Sequence, residues 1–317
     1  MKKKIFLPQS IALILLVLSC NKSTALEKIE LLNKDSGAEE LTVYHTWLSR
    51  KEMVYGDPHH PPVMETLPQG YFPWAGIVSH HLLAHDYLDA WFSRLAELRQ
   101  PRCFYILSPS HYGISLEAYS LTIGSWDSGS GLVESDINKT LQLAELLDVG
   151  LDMGVFQIEH GVSVFMPYIK KYFPDAVVVA IAYEGEGPVN IPKSRLLADA
   201  LESEFDDEGK RDNFLLISTD FSHQNNLEET YRRDNNSQRY LKKPGDATGG
   251  ISWNFVVCDN RPAIYVLDRL GKNNLESYIL YHTNSWEISG KWEDDVTSYF
   301  FVYFAEKGLN KGLTNGK

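Results

Sequence analysis

Apolar residues fall along this chain in two alternating patterns, and the alternation predicts a sheet covered by helices. Short runs that are apolar almost throughout, residues 75–79, 102–108, 176–182 and 213–218, read as strands buried on both faces. Between them, apolar residues recur at helical spacing. Leu88, Trp91, Phe92, Leu95 and Leu98 mark a helix over residues 86–98. Val162, Phe165, Met166 and Ile169 mark another, followed by Pro174. Residues 195–205, the polar stretch 227–241 and residues 261–270 predict three more. Asn260 is placed to cap the last of these, with Pro262 in its first turn. Residues 276–281 and 297–304 read as late strands that need not run parallel to the others. The expected fold class is α/β, a three-layer α/β/α arrangement around a mixed, largely parallel central sheet.

The first twenty residues break this pattern. Lys2, Lys3 and Lys4 precede a short apolar run ending Val17-Leu18-Ser19-Cys20. The run is short for a membrane span and suits a signal peptide. A small residue followed by cysteine resembles the bacterial lipoprotein cleavage box, which makes Cys20 the expected lipidation site. The expected organisation is a leader over 1–19, a polar tether over 20–45 and a single domain over 46–310. The expected location is the cell envelope, with the chain held to a membrane through lipid. Removing the leader takes away three lysines and no acids, so the formal net charge goes from −12 to −15. A body this acidic, without a basic stripe, argues against nucleic-acid partners.

Three histidines share one layout. His80 follows Ile77-Val78-Ser79, His111 follows Ser108-Pro109-Ser110, and His223 follows the run from Leu216 to Ser222. Each lies just past the carboxyl end of an expected buried strand, the edge where open α/β sheets bind ligands. Imidazole is both a common metal ligand and the natural acid–base group near neutral pH. The three are therefore expected to converge on one metal-centred site. His81 is an alternative to His80 as ligand.

At these residues the chain resembles the Memo family, the protein B component of AmmeMemoRadiSam systems, related in fold to class III extradiol dioxygenases. The resemblance rests on Val78-Ser79-His80, Ser108-Pro109-Ser110-His111, Glu159-His160 with Pro167-Tyr168, Ser218-Thr219-Asp220-Phe221-Ser222-His223, Cys258-Asp259-Asn260-Arg261-Pro262 and Val296-Thr297-Ser298-Tyr299. It departs from the family at Ser79, where a proline is expected, at Ser163, where a glutamate is expected, and around Asn284-Ser285-Trp286, where an acidic residue is expected.

The resemblance implies one divalent metal held by His80, His111 and Cys258. Iron(II) comes first, with zinc and copper compatible with histidine and thiolate donors. It also implies catalytic roles for His223, as general base or third ligand, for His160 and for Asp220. Asp220 and Glu159 can each serve as ligand or as orienting group. The activity implied is dioxygenase-like oxidation of a small molecule; a non-catalytic metal- or peptide-binding protein and a zinc hydrolase are the alternatives. AMMECR-type and radical-SAM proteins are the partners implied. If Cys258 lies beside His111, it stands roughly 25 Å from Cys103 at the far end of a strand. A disulfide needs Cα atoms within about 7 Å, so both thiols are expected to be free. A helix start just after Cys258 is expected to lower its pKa.

Overall fold

The computed structural model describes residues 42–46, 67–115, 117–185, 187–245 and 252–307. The expected leader, Cys20 and most of the expected tether lie outside them. In chain order the strands are β1 (Val43–His45), β2 (Ala75–Val78), β3 (Cys103–Pro109), β4 (Ser120–Leu121), β5 (Ser125–Asp127), β6 (Leu132–Val133), β7 (Val177–Tyr183), β8 (Asn213–Ser218), β9 (Phe221–Asn225), β10 (Leu275–Asn284) and β11 (Val296–Glu306). The helices of ten residues or more are α1 (His85–Leu98), α2 (Ile137–Leu147), α3 (Ile191–Leu201), α4 (Leu227–Lys242) and α5 (Arg261–Gly271).

The main sheet has the order β10-β11-β2-β8-β3-β7-β4, with β9 paired to β11. Its centre, β2-β8-β3-β7, is parallel. The flanking β11, β10 and β4 are antiparallel. The mixed α/β sheet expected from the pattern is the one observed. Alternate strand residues face opposite ways. Phe104, Ile106, Val178, Phe214 and Leu216 pack into a core with α1 and residues Phe165 and Ile169. Tyr105, Leu107, Val179, Leu215 and Ile217 pack into a second core with α2, α3 and α5. Helices on both faces explain why the central strands are apolar throughout.

Several expectations need correction. Val43–His45, the end of the expected tether, pairs with β5, and β5 pairs with β6, in a small second sheet. The helix expected across Val162–Ile169 is two pieces, His160–Ser163 and Met166–Tyr172. Pro167 lies in the first turn of the second piece, and its ring would collide with the Ser163 carbonyl in a continuous helix. The helix expected over 195–205 starts earlier, at Ile191, because the Asn190 side chain caps it by accepting from the Lys193 N–H. His223 was expected just past the end of a buried strand; it follows β8 and lies within a further short strand, β9. Among the described residues, no helix is long and apolar enough to cross a membrane.

One half-buried acid gives a test of the second core. The Tyr240 hydroxyl donates to Asp268 on α5. Burial raises the Asp268 carboxyl to about 6, only partly offset by that hydrogen bond. An acid raised on folding leaves stability intact below its unfolded pKa and reduces it as pH climbs to the folded one. Asp268→Asn, which keeps an acceptor for Tyr240, should therefore gain about 2 kcal/mol over wild type at pH 7 and almost nothing at pH 3.5. Urea unfolding at the two pH values checks this; an equal gain at both would refute it.

Candidate metal centre

His80 comes two residues after β2 and His111 two residues after β3, so parallel pairing brings both to one rim of the sheet. Their Nε2 atoms stand 3.2 Å apart. His160, at the start of the short helix His160–Ser163, closes on both. Its ring centroid is 4.2 Å from that of His111 and 5.2 Å from that of His80. One donor atom from each of these three rings lies within 4.8 Å of the other two, a spacing that can hold a metal ion. His160 completes this group, in which Cys258 is not included.

The rings are held from behind. His111 Nδ1 bonds Glu159 Oε1 at 2.7 Å, and the His111 backbone N–H donates to Glu159 Oε2 at 2.9 Å. Glu159 is 1% exposed and also caps the short helix, accepting from the Gly161 N–H. This carboxylate fixes the ring orientation and leaves Nε2 facing the centre. Burial opposes charge on His111, but Asp259 and Glu159 together raise it to about 10. Burial, with His80 and His111 adding to it, lowers His160 to about 3. His80 Nδ1 shares a hydrogen bond with Ser218 Oγ at 3.0 Å, which likewise frees its Nε2. His81 does not compete for the site: its ring bonds the Tyr299 hydroxyl.

Two carboxylates line the opposite wall. Asp220 Oδ2 is 3.7 Å from His80 Nε2 and 3.6 Å from His223 Nε2. Ser79, where the family pattern has proline, donates to Asp220 Oδ1 at 2.5 Å and accepts from the His81 N–H. That departure therefore adds a hydrogen bond to the site. Asp259 is the residue the sequence reading passed over. Its Oδ2 is 3.3 Å from His80 Nε2, 3.5 Å from His223 Nε2 and 3.8 Å from His111 Nε2. Burial works against both charges, but His80 and its neighbouring histidines hold both acids well below the usual carboxylate range. His223 is the most open of the four histidines, with its side chain 33% exposed. It stands within reach of both carboxylates and of anything that enters from solvent.

Cys258 sits differently from expectation. It and Cys103 are both free. Burial, then the Asp259 charge, pushes the Cys258 thiol up to about 12, overriding the helix start that was expected to lower it. Asn260, next but one, does cap α5 as expected. Its amide also donates to the carbonyls of Leu107 and Ser218, at 3.0 and 2.9 Å. This buried amide ties the loop from Cys258 to Asn260 onto the carboxyl ends of β3 and β8. At the other departures, Ser163 is buried in the short helix, and Asn284 caps the helix Ser285–Ser289.

The fold is an α/β domain with imidazoles and carboxylates gathered at the carboxyl rim of a parallel sheet, a group that can hold a metal ion. The chain matches the family model for Memo-like proteins over residues 77–302. It belongs to the Memo-like family. It is 28% identical over 282 residues to a MEMO1 family protein of Pyrobaculum aerophilum, covering 85% of this chain and 95% of that one. A MEMO1 family protein of Pyrobaculum arsenaticum is 28% identical over 278 residues, 84% and 93% of the two chains. One from Caldivirga maquilingensis is 31% identical over 165 residues, 51% and 55% of the two chains.

Proposed function

We propose that this domain holds one divalent metal ion at His80 and His111 and carries out redox chemistry on a small oxygen-bearing molecule. The observation that carries this reading is the three-ring group, with each of its two innermost rings fixed through Nδ1 and its Nε2 left facing inward. The donor set fits such an ion, because buried carboxylates stand beside the rings to offset its charge. Nitrogen and carboxylate donors suit iron(II) first, then zinc or copper. When bound, such a metal supplies open positions for substrate and oxygen.

The protein's own groups supply the rest. His223, beside Asp220 and partly open to solvent, is placed to accept a proton from a substrate hydroxyl. Asp220 steadies the resulting imidazolium. His160, kept neutral by burial, lines the entry side with an uncharged ring. Metal analysis of protein purified without added metal, followed by oxygen uptake on iron(II)-loaded protein with a panel of catechols, tests the reading. Metal at about one equivalent with oxygen uptake supports it. Metal without turnover leaves a binding protein, and zinc-dependent hydrolysis without oxygen demand makes it a hydrolase.

The site has a built-in tolerance test at Gly161. A Cβ there would lie 2.4 Å from Ser108 Oγ, 3.1 Å from Glu159 Oε1 and 3.2 Å from His111 Cε1. Gly161→Ala should displace the Glu159–His111 pair and weaken metal binding by about 10-fold or more, the scale of losing an orienting partner. Titration calorimetry with the metal checks this; wild-type affinity in the variant would show that the pair does not orient the donor.

We further propose that Cys20 carries lipid and tethers the domain to a membrane. The basic residues Lys2–Lys4, the apolar run after them and Ser19-Cys20 support this. Intact mass of the mature chain, with Cys20→Ser as control, tests it. A mass matching an unmodified, full-length chain would overturn it.

A further inference from the structure

The Asp259 carboxylate presents an oxygen that hydrogen bonding does not explain. Asp259 is 5% exposed. Its Oδ1 is fully engaged: it accepts from the Thr219 hydroxyl at 2.7 Å and from the Asp220 N–H at 3.1 Å. Its Oδ2 is buried and has no hydrogen-bond partner. Yet three imidazole nitrogens surround that atom, from His80, His223 and His111, at 3.3, 3.5 and 3.8 Å. No ring aligns an N–H with it. A buried carboxylate oxygen without a donor is costly and persists only with a reason.

The spacing supplies one. Two donors bonded to the same cation at about 2.1 Å with tetrahedral angles stand about 3.4 Å apart. His80 to His111 is 3.2 Å, His80 to Asp259 is 3.3 Å and His111 to Asp259 is 3.8 Å. These are the edges of one face of such a site, the separations at which three donors share an ion.

We infer that Asp259, in the place expected of Cys258, donates to the ion beside His80 and His111, so that a carboxylate joins the imidazoles at the centre. The inference rests on the metal-centre reading above and says which atoms build it. The backbone geometry agrees. Cys258 forms an antiparallel bridge with Phe221. The Asp259 carboxylate faces the histidines, whereas Cys258 packs against the second core. The loop is also pinned in this register. Asn260 bonds the ends of β3 and β8, and a Cβ on Gly185 would lie 2.2 Å from the Asp259 carbonyl oxygen, so the two backbones touch there. A hard carboxylate in place of a thiolate favours iron(II) and manganese(II) relative to copper(I).

Cobalt(II) loading separates the donors, because a cobalt-bound thiolate gives an intense charge-transfer absorption and a carboxylate does not. Wild type and Cys258→Ser should both take up about one equivalent of cobalt, with matching spectra free of that absorption and affinities within about twofold. Asp259→Asn keeps the acceptor for Thr219 and the Asp220 N–H but loses the charged oxygen. It should bind cobalt at least about 10-fold more weakly while melting near the wild-type temperature. A thiolate absorption in wild type that vanishes in Cys258→Ser overturns the inference and leaves the metal centre standing, as does Asp259→Asn binding as tightly as wild type. The wild-type spectrum decides the matter even if Asp259→Asn fails to fold. A wild-type chain that takes up no cobalt overturns the metal centre itself.

Discussion

His111→Ala should lower divalent-metal affinity by more than about 100-fold, above the 10–100-fold typical of losing an orienting partner. The ring contributes an Nε2 that faces His80 Nε2 at 3.2 Å. The variant also removes the ring partner of Glu159 Oε1. That carboxylate keeps its bonds to the His111 and Gly161 backbone N–H groups. Stability should therefore fall by only about 1–3 kcal/mol, and the protein should remain folded for the measurement. His81→Ala is the matched control. Its ring is engaged with Tyr299, so metal content should not change. Metal analysis of both variants purified without added metal reads the difference. Full metal in His111→Ala would remove this ring from the site.

The residues that were legible in the sequence are those whose position is set by a strand end. Ile77-Val78 and Ile106-Leu107 are apolar because both sheet faces are covered, and the chain must leave the sheet where the run stops. His80 and His111 follow from that alone. What was not legible is which of two adjacent residues faces inward. Cys258 and Asp259 differ by one position, and Asp259 lies in the turn that follows the Phe221–Cys258 bridge. The motif drew attention to the sulfur, while Cys258 packs against the second core and the Asp259 carboxylate meets the histidines. Asn260 was legible as a helix cap, but its hold on two carbonyls of other strands was not, because its partners Leu107 and Ser218 are distant in sequence. Other misses had a local signal. Thr140, Leu143, Ala144 and Leu147 are the buried face of α2 at helical spacing, and Asp136 caps it by accepting from the Lys139 N–H. The small sheet gave none, since its strands are only two or three residues long.

Trp91→Ala should destabilise the domain by about 3–5 kcal/mol, the largest loss expected from a single core residue here. Trp91 is fully buried in α1 and contacts Phe92, Phe214 and Tyr303. Its floor is β2. A Cβ on Gly76 would lie 2.4 Å from Trp91 Cζ2 and 2.9 Å from the Val302 carbonyl oxygen, so the indole fits because residue 76 has no side chain. Two controls separate packing from polarity. The indole N–H is buried without a hydrogen-bond partner, and Trp91→Phe removes that unpaired donor along with part of the volume. It should cost only about 1–2 kcal/mol. Gly76→Ala should be strongly destabilising alone and less so in the Trp91→Phe background, because the shorter ring vacates the contact; coupling between neighbours of this kind runs about 0.5–3 kcal/mol. Denaturant unfolding of the four proteins measures the cycle, and additive losses would refute the contact. The consequence reaches the metal centre through β2, which pairs with β8 and β11 and delivers His80 to the rim two residues later. Loss of the Trp91 anchor loosens the strand that aims His80, so metal affinity should fall along with stability in Trp91→Ala although the substituted residue touches no donor.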